Sequence, residues 1–437
     1  MIRFLFAIVA TLTLSSPLRA AVEIQEVTSP GGIKAWLVEE HSIPFVALEI
    51  RFKGGASLDR PGKRGAINLM TGLIEEGAGD LDAQGFATAR DALAASYRFD
   101  VGRDSLSVSS RFLTESRDKA VDLLRSALVE PRFDQTAVDR VRGQVLTGLR
   151  SDESDPNKIA SLNFSALAYG DHPYSSIIEG TKESIEALTR DDIVAAFADT
   201  VAKDRMFVAA SGDITAEELG ALLDTLLGDI RAVGAPHPEE AEVTLTGGVT
   251  VLPFNTPQSV AIFGHEGIGR DDPDFFAAFV ANQIFGGSGR QSRLGLEVRE
   301  KRGLTYGVGS YLAIYDQANL VLGQLASAND RMAQAIDVIR EEWAKVAADG
   351  LTQEELDEAK TYLTGAYPLR FDSNASIARI MVGMQVDGLG TDYIVTRNDR
   401  VNAVTLEDIA RVAKRIYRPD DLRFVVVGRP DDLENVN

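Results

Sequence analysis

The residues able to do chemistry are few. Across 437 residues there is no cysteine, and the histidines number four, His41, His172, His237 and His265. Without thiols, zinc–thiolate centres, iron–sulfur clusters, disulfides and cysteine nucleophiles are excluded, and an imidazole metal site must draw on those four residues. Their surroundings do not favour it. His265-Glu266 has no second histidine at helical spacing and reads as a polar pair at a strand end. His172, followed by Pro173, reads as a hydrogen-bonding loop residue, and His237 between two prolines reads as solvated. Gly286-Gly287-Ser288-Gly289 lacks the Lys-Ser/Thr that completes a phosphate loop, so its glycines are read as backbone freedom at a turn. No Gly-x-Ser-x-Gly elbow comes with a partner histidine. What remains is two glycine-bounded stretches, Gly54 to Gly77 and Phe285 to Tyr306, and in the second Arg299 and Tyr306 stand seven apart.

The elements that must position these stretches follow from composition and pattern. With 45% hydrophobic and 25% charged residues the chain can bury a large core, and disorder, collagen and coiled coil are excluded. A net charge of -20 disfavours nucleic acid, whose phosphates reward clustered cations. Residues 1–20 combine Arg3, an apolar run from Phe4 to Leu14 too short to span a bilayer, and small residues before Ala20; they read as a secretory signal peptide, which with the absence of cysteine points to a bacterial periplasm and to no stable membrane anchor after cleavage. Beyond it the chain repeats. Ile185–Ile193 aligns with Val401–Ile409 at an offset of 216, and the same offset pairs Met206–Gly212 with Leu422–Gly428. Each copy has a capping box, a helix, a short loop and an apolar strand that ends at glycine. Phe45–Phe52 and Ser259–Gly264 supply matching strands near the starts. The expected fold is α+β, with two homologous α/β-sandwich domains at residues 22–232 and 245–437, joined by a linker over 233–244 where turn formers and acids break all periodicity.

The two glycine-bounded stretches resemble the pitrilysin-type, or inverzincin, zinc metallopeptidases, relatives of mitochondrial processing peptidase. The resemblance covers essentially all of the chain beyond the signal peptide. It includes Tyr169-Gly-Asp-His172-Pro-Tyr174, similar to the family's loop before the last helix of its first domain, and it implies that the two domains form half of a clamshell. The family's zinc motif, His-x-x-Glu-His, puts two ligands and a general base on one helix. Aligned on Gly65 and Gly77, its positions here are Asn68, Thr71 and Gly72, and the third-ligand glutamate falls at Gly148. None of the four can bind zinc well or act as the base. The nearby Asp152, Glu153 and Asp155 lack histidine partners, so no metal is expected on this chain.

The second stretch is intact. In the family an Arg and a Tyr spaced like Arg299 and Tyr306 reach across to the zinc site from the metal-free domain, and Ser292-Arg293 belongs to the same substrate-binding pattern. A phenol can donate to the oxyanion that forms during peptide hydrolysis, and a guanidinium can hold substrate carbonyls in a water-poor cleft. The resemblance therefore implies a non-catalytic subunit of an exported heterodimeric zinc metalloendopeptidase, inactive alone. Its partner would be a homologous chain that carries His-x-x-Glu-His and the zinc, and its substrate a peptide or unfolded protein added along a sheet edge. The alternative is a catalytically silent peptide-binding or scaffold homologue of the same fold.

Overall fold

The computed structural model describes residues 23–288 and 292–435, so the expected signal peptide lies outside the described residues. The first half contributes β1 (Gln25–Thr28), β2 (Lys34–Glu39), β3 (Phe45–Lys53), a two-residue pair β4 (Gly77–Ala78) and β5 (Leu81–Asp82), then β6 (Ser96–Val101), β7 (Ser105–Leu113) and β8 (Met206–Gly212). The second half contributes β9 (Gly248–Pro253), β10 (Gln258–Glu266), β11 (Gly307–Ile314), β12 (Asn319–Ala328) and β13 (Arg423–Gly428).

The two main sheets run β1-β2-β8-β3-β7-β6 and β9-β13-β10-β12-β11. With β1 set aside as an extra edge strand, the orders superimpose. β2 with β8 and β9 with β13 are parallel, whereas β3 and β10 each pair antiparallel with both neighbours. The repeat read from the sequence is thus a repeat of topology. Its sharpest signal, the Thr-x-x-Asp pairs, forms reciprocal capping boxes in both copies: Thr189 with Asp192 opens the helix Arg190–Thr200, and Thr405 with Asp408 opens Leu406–Ile416.

Each sheet carries its own helices on one face. Helices Ala66–Thr71, Arg117–Val129 and Ala216–Leu227 bury Leu69, Met70, Leu124 and Leu223 in the first core. In the second, Trp343 is fully buried, edge-on to Phe285 at 4.9 Å and close to Tyr417 at 5.3 Å. The other faces are covered by exchange. Helix Pro156–Tyr169, from the first half, packs on β10 and β13 of the second sheet, burying Ala160 against Val260 and Val427. Helix Asn374–Val386, from the second half, packs on β3 and β8 of the first, burying Met381 and Val382 against Val38 and Ala209. Gln385 Nε2 donates to the Val208 carbonyl at 2.8 Å.

Two hairpin turns at equivalent places in the repeat also meet. Asp104, between β6 and β7, accepts from Tyr174 Oη and, at 3.2 Å, from the backbone N–H of Asp316, between β11 and β12. The Gln317 N–H donates to Tyr174 Oη at 3.0 Å, and the Arg103 guanidinium lies over the rings of Tyr169, Tyr174 and Tyr315 at 4.7–5.3 Å. No helix among the described residues is long and apolar enough to cross a membrane.

Candidate functional site

The helix at the degenerate motif, Ala66–Thr71, is short and begins after Gly65, whose φ is +83°. A Cβ there would come within 2.4 Å of the Glu179 carbonyl oxygen, so glycine is required. Gly65 has no side chain to cap the helix, and Asp59 does so from six residues upstream: its carboxylate accepts from the N–H of Gly65 at 2.7 Å and of Ile67 at 2.9 Å. Burial raises the Asp59 carboxyl to about 6, against the pull of those N–H donors. Replacing it strands two buried N–H groups at about 1–3 kcal/mol each, so Asp59→Ala should lower the stability by roughly 2–6 kcal/mol, read as the midpoint of urea unfolding. An unchanged midpoint would mean that water replaces the cap.

Of the residues aligned with the zinc motif, Asn68 and Thr71 lie in helix Ala66–Thr71 and Gly72 is its C-cap. Asn68 is half-buried. Thr71 is buried and spends its hydroxyl on the Ile67 carbonyl at 2.7 Å, within its own helix. Gly72 faces helix Gln135–Asp152, and a Cβ on it would touch Val141 at 3.3 Å. Gly148 lies seven residues beyond Val141, on the same side of that helix, and a Cβ there would meet nothing within 4 Å. A side chain at Gly148 would enter open space, whereas one at Gly72 would press on Val141. Of the nearby acids, Asp155 is committed as the N-cap of helix Pro156–Tyr169 and Asp152 faces Lys158 at 3.9 Å. The residues present do not fit zinc, and no group of three His, Asp or Glu among the described residues is arranged to hold a metal ion.

The histidines are accounted for elsewhere. His41 bridges Asp213 and Glu39 at 2.8 and 3.1 Å, and both carboxylates raise its pKa. His172 accepts from the Tyr174 N–H at 3.2 Å and pairs with the Glu239 carbonyl at 3.0 Å, tying its loop to the linker. His237 is exposed. His265 is fully buried at the end of β10 beneath Trp343.

Around Arg299 the chain departs from regular helix. Gly295–Glu300 forms a π-turn, in which the Lys301 N–H reaches back five residues to the Leu296 carbonyl at 2.9 Å. Such turns recur at functional sites because they re-aim side chains. Arg299 is half-buried and holds Glu300 at 2.9 Å. Tyr306, just ahead of β11, is 89% exposed. Its neighbours are pinned: Thr305 Oγ1 donates to the Ala326 carbonyl at 2.5 Å and accepts from the Gly307 N–H at 3.1 Å. The phenol therefore projects outward from a fixed backbone. Gly286 ends helix Phe275–Gly286 against β11, and a Cβ on it would lie 2.1 Å from Ser310 Oγ; its use is close packing as well as backbone freedom.

Ser292 and Arg293, expected to contact substrate, are engaged internally. Ser292 is buried, and its hydroxyl accepts from the Gly295 N–H at 3.3 Å. Arg293 forms a two-pronged pair with Glu355 at 2.6 and 2.9 Å, and Glu355 also closes the capping box of Thr352. Both contacts lie at the start of the π-turn, and adjacency in sequence gives no sign of a partner 62 residues away. The Tyr169–Tyr174 tract precedes three helices of the first half, Lys182–Ala187, Arg190–Thr200 and Ala216–Leu227, so it does not directly precede the last one. Arg103 and Asp104 went unnoticed in the sequence. Their signal was their position in a turn equivalent to the one at Tyr315-Asp316-Gln317.

The sheet topology repeated in the two halves defines a class of fold, and comparison with known proteins assigns a family to it. Two family models match in tandem, "Insulinase (Peptidase family M16)" over residues 34–182 and "Peptidase M16 inactive domain" over 187–363. The chain belongs to the M16 peptidase family, as a non-catalytic member. It is 27% identical over 390 residues to a Helicobacter pylori protein named non-peptidase homolog YmxG, covering 89% of this chain and 90% of that one. It is 26% identical to a probable mitochondrial-processing peptidase subunit beta of Schizosaccharomyces pombe, covering 73% and 72%. Among solved structures, an M16 inactive domain from Pseudomonas fluorescens superimposes with a TM-score of 0.87 at 27% identity, covering 94% of this chain and 99% of the other.

Proposed function

We propose that this protein is the non-catalytic subunit of an exported, two-chain zinc metalloendopeptidase. The partner, a homologue with His-x-x-Glu-His, holds the zinc and the general base. This chain closes the opposite wall of the chamber and presents Arg299 and Tyr306 to the substrate carbonyl as negative charge develops on it. The observation that carries the reading is the contrast between the two domains. Gly72 and Gly148 leave the first site without ligands, while Tyr306 of the second stands almost fully exposed on a pinned backbone.

The test is reconstitution. The lone protein should hold no stoichiometric zinc by elemental analysis and cleave no unfolded peptide, and mixing with its partner should give cleavage that a chelator abolishes. Stoichiometric zinc on the lone chain would sink the proposal. Co-purification without any gain in cleavage would favour the peptide-binding scaffold instead.

A further inference from the structure

A cavity of about 600 Å³ opens between helix Phe275–Gly286, the edge strand β11 and helices Asn374–Val386 and Tyr393–Ala403. Its charge runs against the rest of the molecule. In a chain with 65 acidic and 45 basic residues, the wall holds four arginines, Arg270, Arg370, Arg379 and Arg397, and a single acid, Asp387.

Asp387 balances one of them, Arg270, at 3.0 Å, and leaves the Arg270 Nε buried without a hydrogen-bond partner. Arg397 is 6% exposed and has no carboxylate partner among the described residues. Its guanidinium lies over Phe279 and Tyr367 at 5.5 and 4.6 Å and donates to the Leu363 carbonyl and to Asn398 Oδ1. A cation so placed gains from any anion brought near it, because the low-dielectric wall screens it poorly. Arg379 forms one long ion pair, at 3.8 Å, with the buried Glu49, and Arg370 has no ion pair among the described residues. Both keep planar donor forks suited to two-pronged binding of a carboxylate. The volume and the aromatic wall exceed the needs of a lone small anion and suit a side chain or chain end with its neighbouring residues.

We propose that this cavity binds carboxylate-bearing segments of polypeptide. The site would set an acidic preference on the substrates of the proposed complex and so rests on that reading for its use, but binding to the lone chain tests it separately from peptide cleavage. The experiment is fluorescence anisotropy on the purified full chain at low salt. The labelled peptides are one with four glutamates and a free C-terminus, its C-terminally amidated form, and the matched glutamine peptide, free and amidated.

The free-acid glutamate peptide should bind at least ~10-fold more tightly than the amidated glutamine peptide, a difference expected from a few charge-assisted hydrogen bonds. The Arg370→Ala/Arg379→Ala double variant should lose that preference. Both side chains are exposed, and an unchanged Tm will show the fold intact. If amidation leaves glutamate-peptide binding unaltered, side-chain carboxylates are the ligand; if it abolishes binding and the free glutamine peptide binds, the chain terminus is. Equal affinity for all four peptides, or a preference that survives in the folded double variant, overturns the proposal.

Discussion

Turnover by the proposed two-chain complex should fall by roughly 10- to 1,000-fold when Tyr306 is changed to Phe or Arg299 to Ala, the range for losing a transition-state donor. Tyr306→Phe removes only a hydroxyl, and because the ring is 89% exposed, no buried partner is left unsatisfied in this chain. Arg299→Ala breaks a half-exposed pair with Glu300, which contributes at most about 1 kcal/mol. Neither substitution should move Tm appreciably, so a loss of rate would report on chemistry. The two residues should also separate kinetically. A donor to the developing oxyanion acts on kcat and kcat/KM alike, whereas a guanidinium that holds ground-state carbonyls shows mainly in KM. If both variants match the unaltered complex in kcat and KM, the pair is structural only.

The second large effect is an acid weakness at His265. Its ring lies beneath Trp343, whose indole N–H donates to His265 Nε2 at 3.1 Å, while Nδ1 pairs with the Glu266 carbonyl at 2.7 Å. In the neutral tautomer with hydrogen on Nδ1 both contacts are satisfied. A second proton on Nε2 would face the indole donor and place a cation in a core closed by Phe263 and Trp343. Burial accordingly lowers the pKa from 6.5 to about 4. The folded state then binds this proton less tightly than the unfolded state. The stabilisation is present above pH 6.5 and drains away as pH falls from there toward 4, for a loss of roughly 3 kcal/mol. His265→Gln, which can keep one donor and one acceptor without titrating, should flatten the fall between pH 7 and pH 4 in urea-unfolding midpoints. A variant that follows the unaltered protein over that range would assign the acid sensitivity to other groups.

The parts legible in the sequence were those whose physics is local. Thr189 with Asp192 and Thr405 with Asp408 close their boxes within one helical turn, so the repeat could be read from their spacing and from the apolar strands that follow. That Gly72 and Gly148 cannot ligate a metal is likewise local, because glycine has no side chain in any context. What stayed hidden depends on distant partners. Nothing in Ser292-Arg293 points to Glu355, the partner that Arg293 holds from 62 residues away. The helices Pro156–Tyr169 and Asn374–Val386 went unread, and with them the exchange, because each finds its apolar seat on a sheet built from the other half of the chain. The arginine-walled cavity draws Arg270 and Arg397 from elements more than a hundred residues apart, and no window of sequence holds both.

That exchange bears on how such a chain can change over time. If either half were deleted, the survivor would lose a covering helix and expose a sheet face lined by Val38 and Ala209, or by Val260 and Val427. Each half is therefore needed to complete the other's packing, whatever site it carries. Duplication with swapped helices in this way ties two similar modules into a single folding unit.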